Sequence, residues 1–368
     1  MNNLKRVLAL VLALMMACSL VACGGKEEAA QEETKTEATE NTEATTEETT
    51  EEPLTMEEEL ELMKSEPAYE EGFTYFRSGG CTSGPMMADY LGYFEKYGIK
   101  AEAYLGGDSW KEAIGTNAAQ CAVNHIATCL VPAANDVNYA IVGGAMIGCQ
   151  SLWVLADSGY NSLEDLKGKK ISAPNGIGNS SYNIGARFFD ADGIDPLTEV
   201  EFIQVETSAC IAAMENGEIA AVVSGDMWAW DMWKNGQLKY LRSITWDEDF
   251  MDEPCCVTVL NKDFIKENPM MAKYITLAIY EAQAWMGENL AEATQIQMDE
   301  GLLTGEFDKL YECMETYQWG AVVDDSFTER ALQEITEDYI RLGLLTTMKD
   351  ADKVMEKIWW PQANYEID

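Results

Sequence analysis

The sequence predicts an α/β fold of two lobes joined by two passages of the chain, with a helical tail completing the first lobe. Three observations point there. From Gly72 onward, short strand-like runs alternate with amphipathic helical segments, the rhythm of an α/β architecture. That rhythm fills two blocks, each ending near a short apolar strand, Leu152 to Leu155 and Cys256 to Leu260. After about residue 262 the strand signals stop and helical patterns take over. The 368 residues suffice for two ordinary domains with real cores.

Taken in order, Phe73 to Phe76 reads as a strand, and Met86 to Tyr97 as an amphipathic helix stopped by Gly98. Ile99 to Tyr104 is strand, Trp110 to Asn117 helix, Gln120 to Val123 strand, Ile126 to Ala134 helix and Tyr139 to Val142 strand. The second block repeats the alternation. Its strands are Lys170 to Ala173, Val200 to Val205, Ile219 to Val223 and Leu238 to Leu241; its helices are Ser181 to Phe189, Ala209 to Asn216 and Met227 to Trp233. The tail carries helices at Met270 to Asn289, Glu292 to Glu300, Phe307 to Tyr317 and Phe327 to Leu342. No short internal repeat is present.

The N-terminus is of a different kind. Lys5 and Arg6 precede an uncharged run from Val7 to Ala17, too short to span a bilayer of roughly 30 Å and of the length of a signal-peptide apolar region. The run ends in Leu20-Val21-Ala22-Cys23-Gly24, which resembles the lipobox of bacterial lipoproteins. That resemblance implies cleavage before Cys23 and a diacylglycerol on its thiol, a stable anchor to the outer face of a membrane. Residues 24–66 hold 16 acidic against 3 basic residues and read as an extended tether, with at most a short helix at Met56 to Lys64. The expected division is a signal peptide over 1–22, lipidated Cys23 and disordered acidic tether over 23–66, a first lobe from 67–152 and 256–368, and a second over 153–255.

Of the net charge of −39, the remainder keeps about −28. Such a surface repels nucleic acid, and no basic stripe with aromatics offsets it. Ten cysteines suggest disulfides until they are placed. Cys18 leaves with the signal, Cys23 is lipidated, and the other eight contain no C-x-x-C pair. Cys121, Cys129 and Cys210 sit in apolar surroundings, as buried small hydrophobes do. Free thiols are expected, with one bridge left open.

Three further segments carry a specific resemblance. Gly84 to Ile99 is a helix ending in Gly92-Tyr93-Phe94 ahead of Gly98-Ile99; Leu163 to Ile171 leads into Pro174-Asn175-Gly176-Ile177-Gly178-Asn179-Ser180-Ser181-Tyr182; and Ala209 to Ala221, with Ala212-Ala213-Met214-Glu215-Asn216-Gly217-Glu218-Ile219-Ala220-Ala221, follows. Together they resemble, in order, the NMT1/THI5-like and SsuA/TauA-like binding proteins. Ala220 stands where that family has an acidic residue, and Gln120-Cys121-Ala122 replaces its Asp-Phe/Val-Gly/Ala strand. The resemblance implies a type II periplasmic-binding-protein-like fold and the solute-binding role of an ABC importer, most simply for a sulfonate or taurine-like anion. A thiamine pyrimidine precursor or other heteroaromatic is the alternative solute. A thiamine-pyrimidine synthase-like enzyme, or a surface adhesion or sensory lipoprotein, is the alternative class.

Open α/β sheets bind ligands at the C-terminal ends of their strands, so each following loop supplies candidates. Ser78, Gly79, Gly80, Cys81 and Thr82 follow the first strand and precede a helix start. Asn124 and His125 follow the third; His125 is the only histidine and cannot build a multi-imidazole zinc site, so its role is hydrogen bonding to ligand or capping. Gly178, Asn179, Ser180, Ser181 and Tyr182 combine hydroxyls, an amide and free N–H groups, and suit an oxyanion. Ser208 and Asp226 stand at two further helix starts. Trp228, Trp230 and Trp233 cannot all share one helical face, and Trp228 can stack on a planar ring or cation. Two glycines of a dinucleotide fingerprint occur near Gly176, but Ser181 replaces the third. Trp246 to Glu253 departs from the calcium-loop pattern. No catalytic group, metal or cofactor is expected. The partners expected are a small solute, permease and ATPase subunits, and the membrane, with the chain a monomer.

Overall fold

The computed structural model describes residues 54–107, 109–320 and 324–364. The signal peptide, Cys23 and the tether as far as residue 53 lie outside the described residues. The strands are β1 (Phe73–Phe76), β2 (Ala101–Tyr104), β3 (Cys121–His125), β4 (Tyr139–Ile147), β5 (Gln150–Leu155), β6 (Lys170–Ser172), β7 (Glu201–Ile203), β8 (Ala221–Gly225), β9 (Leu238–Ser243), β10 (Cys256–Asn261) and β11 (Gln318–Trp319). The helices are α1 (Met56–Met63), α2 (Gly84–Tyr90), α3 (Tyr93–Lys96), α4 (Trp110–Gly115), α5 (Ile126–Ala134), α6 (Ser180–Ala191) and α7 (Cys210–Glu215). After them come α8 (Asp226–Lys234), α9 (Lys262–Glu267), α10 (Pro269–Glu288), α11 (Leu290–Asp299), α12 (Phe307–Met314), α13 (Asp325–Arg341) and α14 (Ala351–Ile358). None of these is long and apolar enough to cross a membrane.

The strands form two sheets, in the orders β11-β4-β10-β3-β1-β2 and β7-β6-β8-β5-β9. Each contains a parallel trio, β2-β1-β3 or β7-β6-β8, flanked by an antiparallel strand, β10 or β5. The registers decide where the chain crosses between sheets. Cys256, at the start of β10, stands opposite His125 at the C-terminal end of β3. Gln150, at the start of β5, stands opposite Gly225 at the C-terminal end of β8. Both passages, Gly148-Cys149 outward and 244–255 on the return, therefore run along the edge where α/β sheets bind ligands. The boundary expected after residue 152 falls inside β5. Strands β4 and β10 are buried along their whole lengths and read as nearly continuous apolar runs, as central strands covered on both faces do.

Three differences from the sequence reading have clear causes. Residues 54–66 are not tether. The Thr55 hydroxyl accepts from the Glu58 N–H while the Glu58 carboxylate accepts from the Thr55 N–H, a capping box that starts α1. Met63 is buried, Glu59 meets Lys273 and Tyr274, and Glu66 accepts from the N–H groups of Met270 and Met271 at 2.6 and 2.8 Å. The dense charge of this stretch hid the apolar pair Leu60 and Met63. The helix expected over Met86 to Tyr97 breaks at Gly92, which takes φ +74°, a conformation glycine adopts without steric cost. Strand signal also recurs after residue 262, as the two-residue β11 paired with β4.

Candidate functional site

The two crossings and the loops after β1, β3, β6 and β8 meet at one seam. Cys149 is its centre. Its N–H donates to the Thr245 hydroxyl on the return passage at 2.8 Å, its carbonyl accepts from Asp226 N–H at 2.9 Å, and its Sγ lies 3.1 Å from that of Cys255. Its φ is +124°, where residues with a Cβ rarely sit.

From the first loop, only Cys81 joins the others. Ser78 donates to the Thr82 carbonyl and Thr82 to the Gly79 carbonyl, so the loop satisfies itself. The Gly80 N–H is taken by the buried Gln297 amide at 2.7 Å, and a Cβ on Gly79 would lie 2.8 Å from that of Leu302. These glycines seat α11. Asn124 accepts from the His125 N–H. His125 caps α5 through Nδ1 with a long 3.4 Å bond from Ala127, and its Nε2 is buried without a partner. Burial holds the imidazole down to about 4, against the opposing pull of the Cys81 thiol.

On the second sheet, Gly176 and Gly178 take φ +84° and +82° and turn the chain into α6. Asn179 accepts from Lys111 Nζ at 3.0 Å, a bond across the seam. Ser180 and Ser181 are buried at the helix start, and Ser181 accepts weakly from Gln150 at 3.4 Å. Asn183 donates to the Ala127 carbonyl at 2.7 Å, a second bond between the sheets. Asp226 is fully buried; it accepts from Ser151 at 2.6 Å and from Thr245. Burial pushes its carboxyl up to about 7, with the two hydroxyls pulling the other way.

Three expected contacts lie elsewhere. The Tyr182 ring packs edge-on to Phe202, 5.1 Å between centroids, beneath the outer strand β7. Ser208 is exposed on the turn before α7. Trp228 packs against the second sheet's own cluster of Trp153, Cys210, Met214 and Leu238. The tryptophans form a packed aromatic group, Trp233 lying 5.3 Å from Trp230 and 4.8 Å from Trp246.

Sequence reasoning passed over Met146, Cys149, Cys255 and Cys256. Hydrogen bonds from Cys149, Cys255 and Cys256 hold the Cys81 thiol well below the ordinary range, and the same contacts raise Cys149. The adjacent pair Cys255-Cys256 was the available signal; Cys149 stands 106 positions from Cys255 and only the crossing brings them together. Open pockets of 380 and 510 Å³ lie at the opposite ends of the parallel strands, by Thr74 and Gln120 and by Lys170 and Ala220.

Two sheets with both crossings on the ligand edge match the expected binding-protein architecture. Residues 82–293, more than half the chain, match the family model described as NMT1/THI5 like. The chain belongs to the NMT1/THI5-like family. The alkanesulfonate-binding protein SsuA from Xanthomonas axonopodis pv. citri, bound to MOPS, has the same fold at TM-score 0.60 and 14% identity, covering 81% of this chain and 99% of that one. The periplasmic nitrate-binding protein NrtA from Synechocystis PCC 6803 superposes at TM-score 0.59 and 17% identity, over 78% of this chain and 84% of its own. The bicarbonate-binding protein CmpA of Synechococcus elongatus is 27% identical over 132 residues, 35% of this chain. The chain thus spans 29% of the length of that curated relative.

Proposed function

We propose that this member of the NMT1/THI5-like family is a solute-binding component of an ABC importer, capturing a small organic or inorganic anion at the seam and carrying out no chemistry on it. One observation carries the reading: loops from both sheets and both crossings converge on the edge where α/β sheets take ligands. The lobes, built on the first sheet and on the second sheet (with β5 from Gln150), then close over the solute, and the bonds Lys111 to Asn179 and Asn183 to Ala127 belong to the closed state. Arg341 with Asp190 and Lys309 with Asp231 add exposed ion pairs between tail and second lobe.

The anion reading rests on the helix start at Ser180, on the hydroxyls of Ser180 and Ser181, and on Lys111. SsuA, NrtA and CmpA are described as binding alkanesulfonate, nitrate and bicarbonate, which favours an oxyanion here, a sulfonate or taurine-like one first. The heteroaromatic alternative would rest on Trp228, which is half-buried and packs against the second sheet's own cluster. A lipid on Cys23 would hold the chain on the outer face of the cytoplasmic membrane; Cys23→Ser should release it from the membrane fraction, and its retention there would refute the anchor.

A thermal-shift screen of the full chain with sulfonates, nitrate, bicarbonate, pyrimidines and amino acids tests the solute. Binding at 100 times Kd should stabilise by about 2.7 kcal/mol. Ser180→Ala with Ser181→Ala should abolish the shift and leave the unliganded melt nearly unchanged. A full shift in the double variant refutes the site. Silence across all the anions refutes the solute class.

A further inference from the structure

The seam holds a cluster that anion capture does not use. Cys81, Cys149 and Cys256 bring their sulfurs within 4.8 Å of one another, and so do the donor atoms of His125, Cys149 and Cys255. The Cys149 and Cys255 sulfurs are 3.1 Å apart, those of Cys255 and Cys256 3.3 Å, and the Met146 thioether lies 3.2 Å from Cys255. We propose that Cys81, Cys149 and Cys256 bind one thiophilic d10 metal ion, zinc(II) or copper(I), with His125 or Cys255 supplying the remaining ligand.

Four features support this. A tetrahedral ion with metal–sulfur bonds of about 2.3 Å sets its sulfurs about 3.8 Å apart, between the thiol separations found here and the limit of the triads. The ligand set is soft, thiols with a thioether at its edge, which selects such ions over magnesium or calcium. Cys149 keeps a side chain at φ +124° directly after Gly148 at +97°, a place where glycine would be the unstrained residue. Finally, a His125 ring nitrogen lies within 4.8 Å of the Cys149 and Cys255 sulfurs, and its Nε2 is buried with no partner. Ligation through Nε2 moves the ring proton to Nδ1 and gives up only the long bond from Ala127.

Binding releases the ligating thiols' protons to solvent as thiolates form. The ion would tie together the first loop (Cys81), the outward crossing (Cys149) and the start of β10 where the return crossing ends (Cys256), a clasp at the base of the seam. This stands apart from the solute reading, because it needs neither Ser180 nor Ser181.

The test uses the full chain, purified with a reductant, stripped with a chelator and kept without oxygen. Zinc and copper(I) are titrated separately against chromophoric chelators, and cobalt(II) serves as the spectroscopic stand-in for zinc. The expected result is one equivalent of zinc or copper(I), and a cobalt form with thiolate charge-transfer and tetrahedral d–d bands. Cys149→Ser and Cys256→Ser should each weaken affinity by more than the roughly 10–100-fold that losing an outer-shell partner costs. Cys121→Ser, a lone buried thiol, should leave it unchanged. Far-ultraviolet circular dichroism identifies any variant that fails to fold, and Cys81→Ser, at a half-buried loop position, then carries the test. No stoichiometric binding by the reduced chain, affinity equal to the parent's in both Cys81→Ser and Cys149→Ser, or a Cys149–Cys255 disulfide that persists in the reductant would each overturn the proposal.

Discussion

Arg187 is the most informative single side chain to remove. It sits on α6, beside the second sheet. Its guanidinium makes a paired contact of 2.6 and 2.8 Å with Glu253 on the return crossing, and donates at 3.0 Å to Asp338 on α13 in the tail. Arg187 and Glu253 keep 11% and 13% of their side-chain exposure, so this is a buried pair, and the ring of Phe250 lies 5.2 Å from the guanidinium carbon. Arg187→Met keeps much of the packing and strands the Glu253 carboxylate, a change that costs about 3–5 kcal/mol at such sites. The half-exposed Asp338 contact adds little beyond that. An unfolding entropy of about 2.1 cal/mol/K per residue over roughly 310 described residues is near 0.65 kcal/mol/K, so Tm should fall by about 5–8 °C. Arg187→Lys keeps the charge and loses the fork, and should fall between the two. Differential scanning calorimetry at neutral pH measures it. An Arg187→Met melt within about 2 °C of the parent would refute the claim that this ion pair staples crossing, second sheet and tail.

Two further outcomes follow from the fold. Glu66→Ala removes the carboxylate that accepts from the first N–H groups of α10, whose own N-cap Asn268 makes no side-chain cap bond; loss of about 1–2 kcal/mol is expected in denaturant unfolding, and an unchanged midpoint would show that 54–66 does not anchor the body. Gly143→Ala places a Cβ 2.6 Å from the Tyr280 hydroxyl, which donates to Asp325 and accepts from the Gly144 N–H; the cost should be about 1–3 kcal/mol, and a neutral melt would show that Tyr280 can move freely.

Much of the fold was legible in the chain. Phe73 to Phe76 and Ile126 to Ala134 were read with the bounds the structure has, because period-2 and period-3.6 patterns are local. What was missed was tertiary. The stretch before residue 66 reads as tether from its charge, and becomes structure only because Glu59 and Glu66 find Lys273 and the α10 N-terminus some 200 positions away. The site was half legible. Helix starts after strands flagged Cys81, His125, Ser181 and Asp226, but Trp228 and Tyr182 were chosen for their chemistry, and packing turned both toward core neighbours.

The sequence alone determined the α/β alternation, the family and the acidic surface, since these follow from local periodicity, motif order and charge count. Only the tertiary structure decided that both crossings lie on the ligand edge, and that four cysteines from three distant segments share one buried point. Which groups meet depends on strand register and on the direction each crossing takes, and these are settled by contacts between residues 75 or more positions apart.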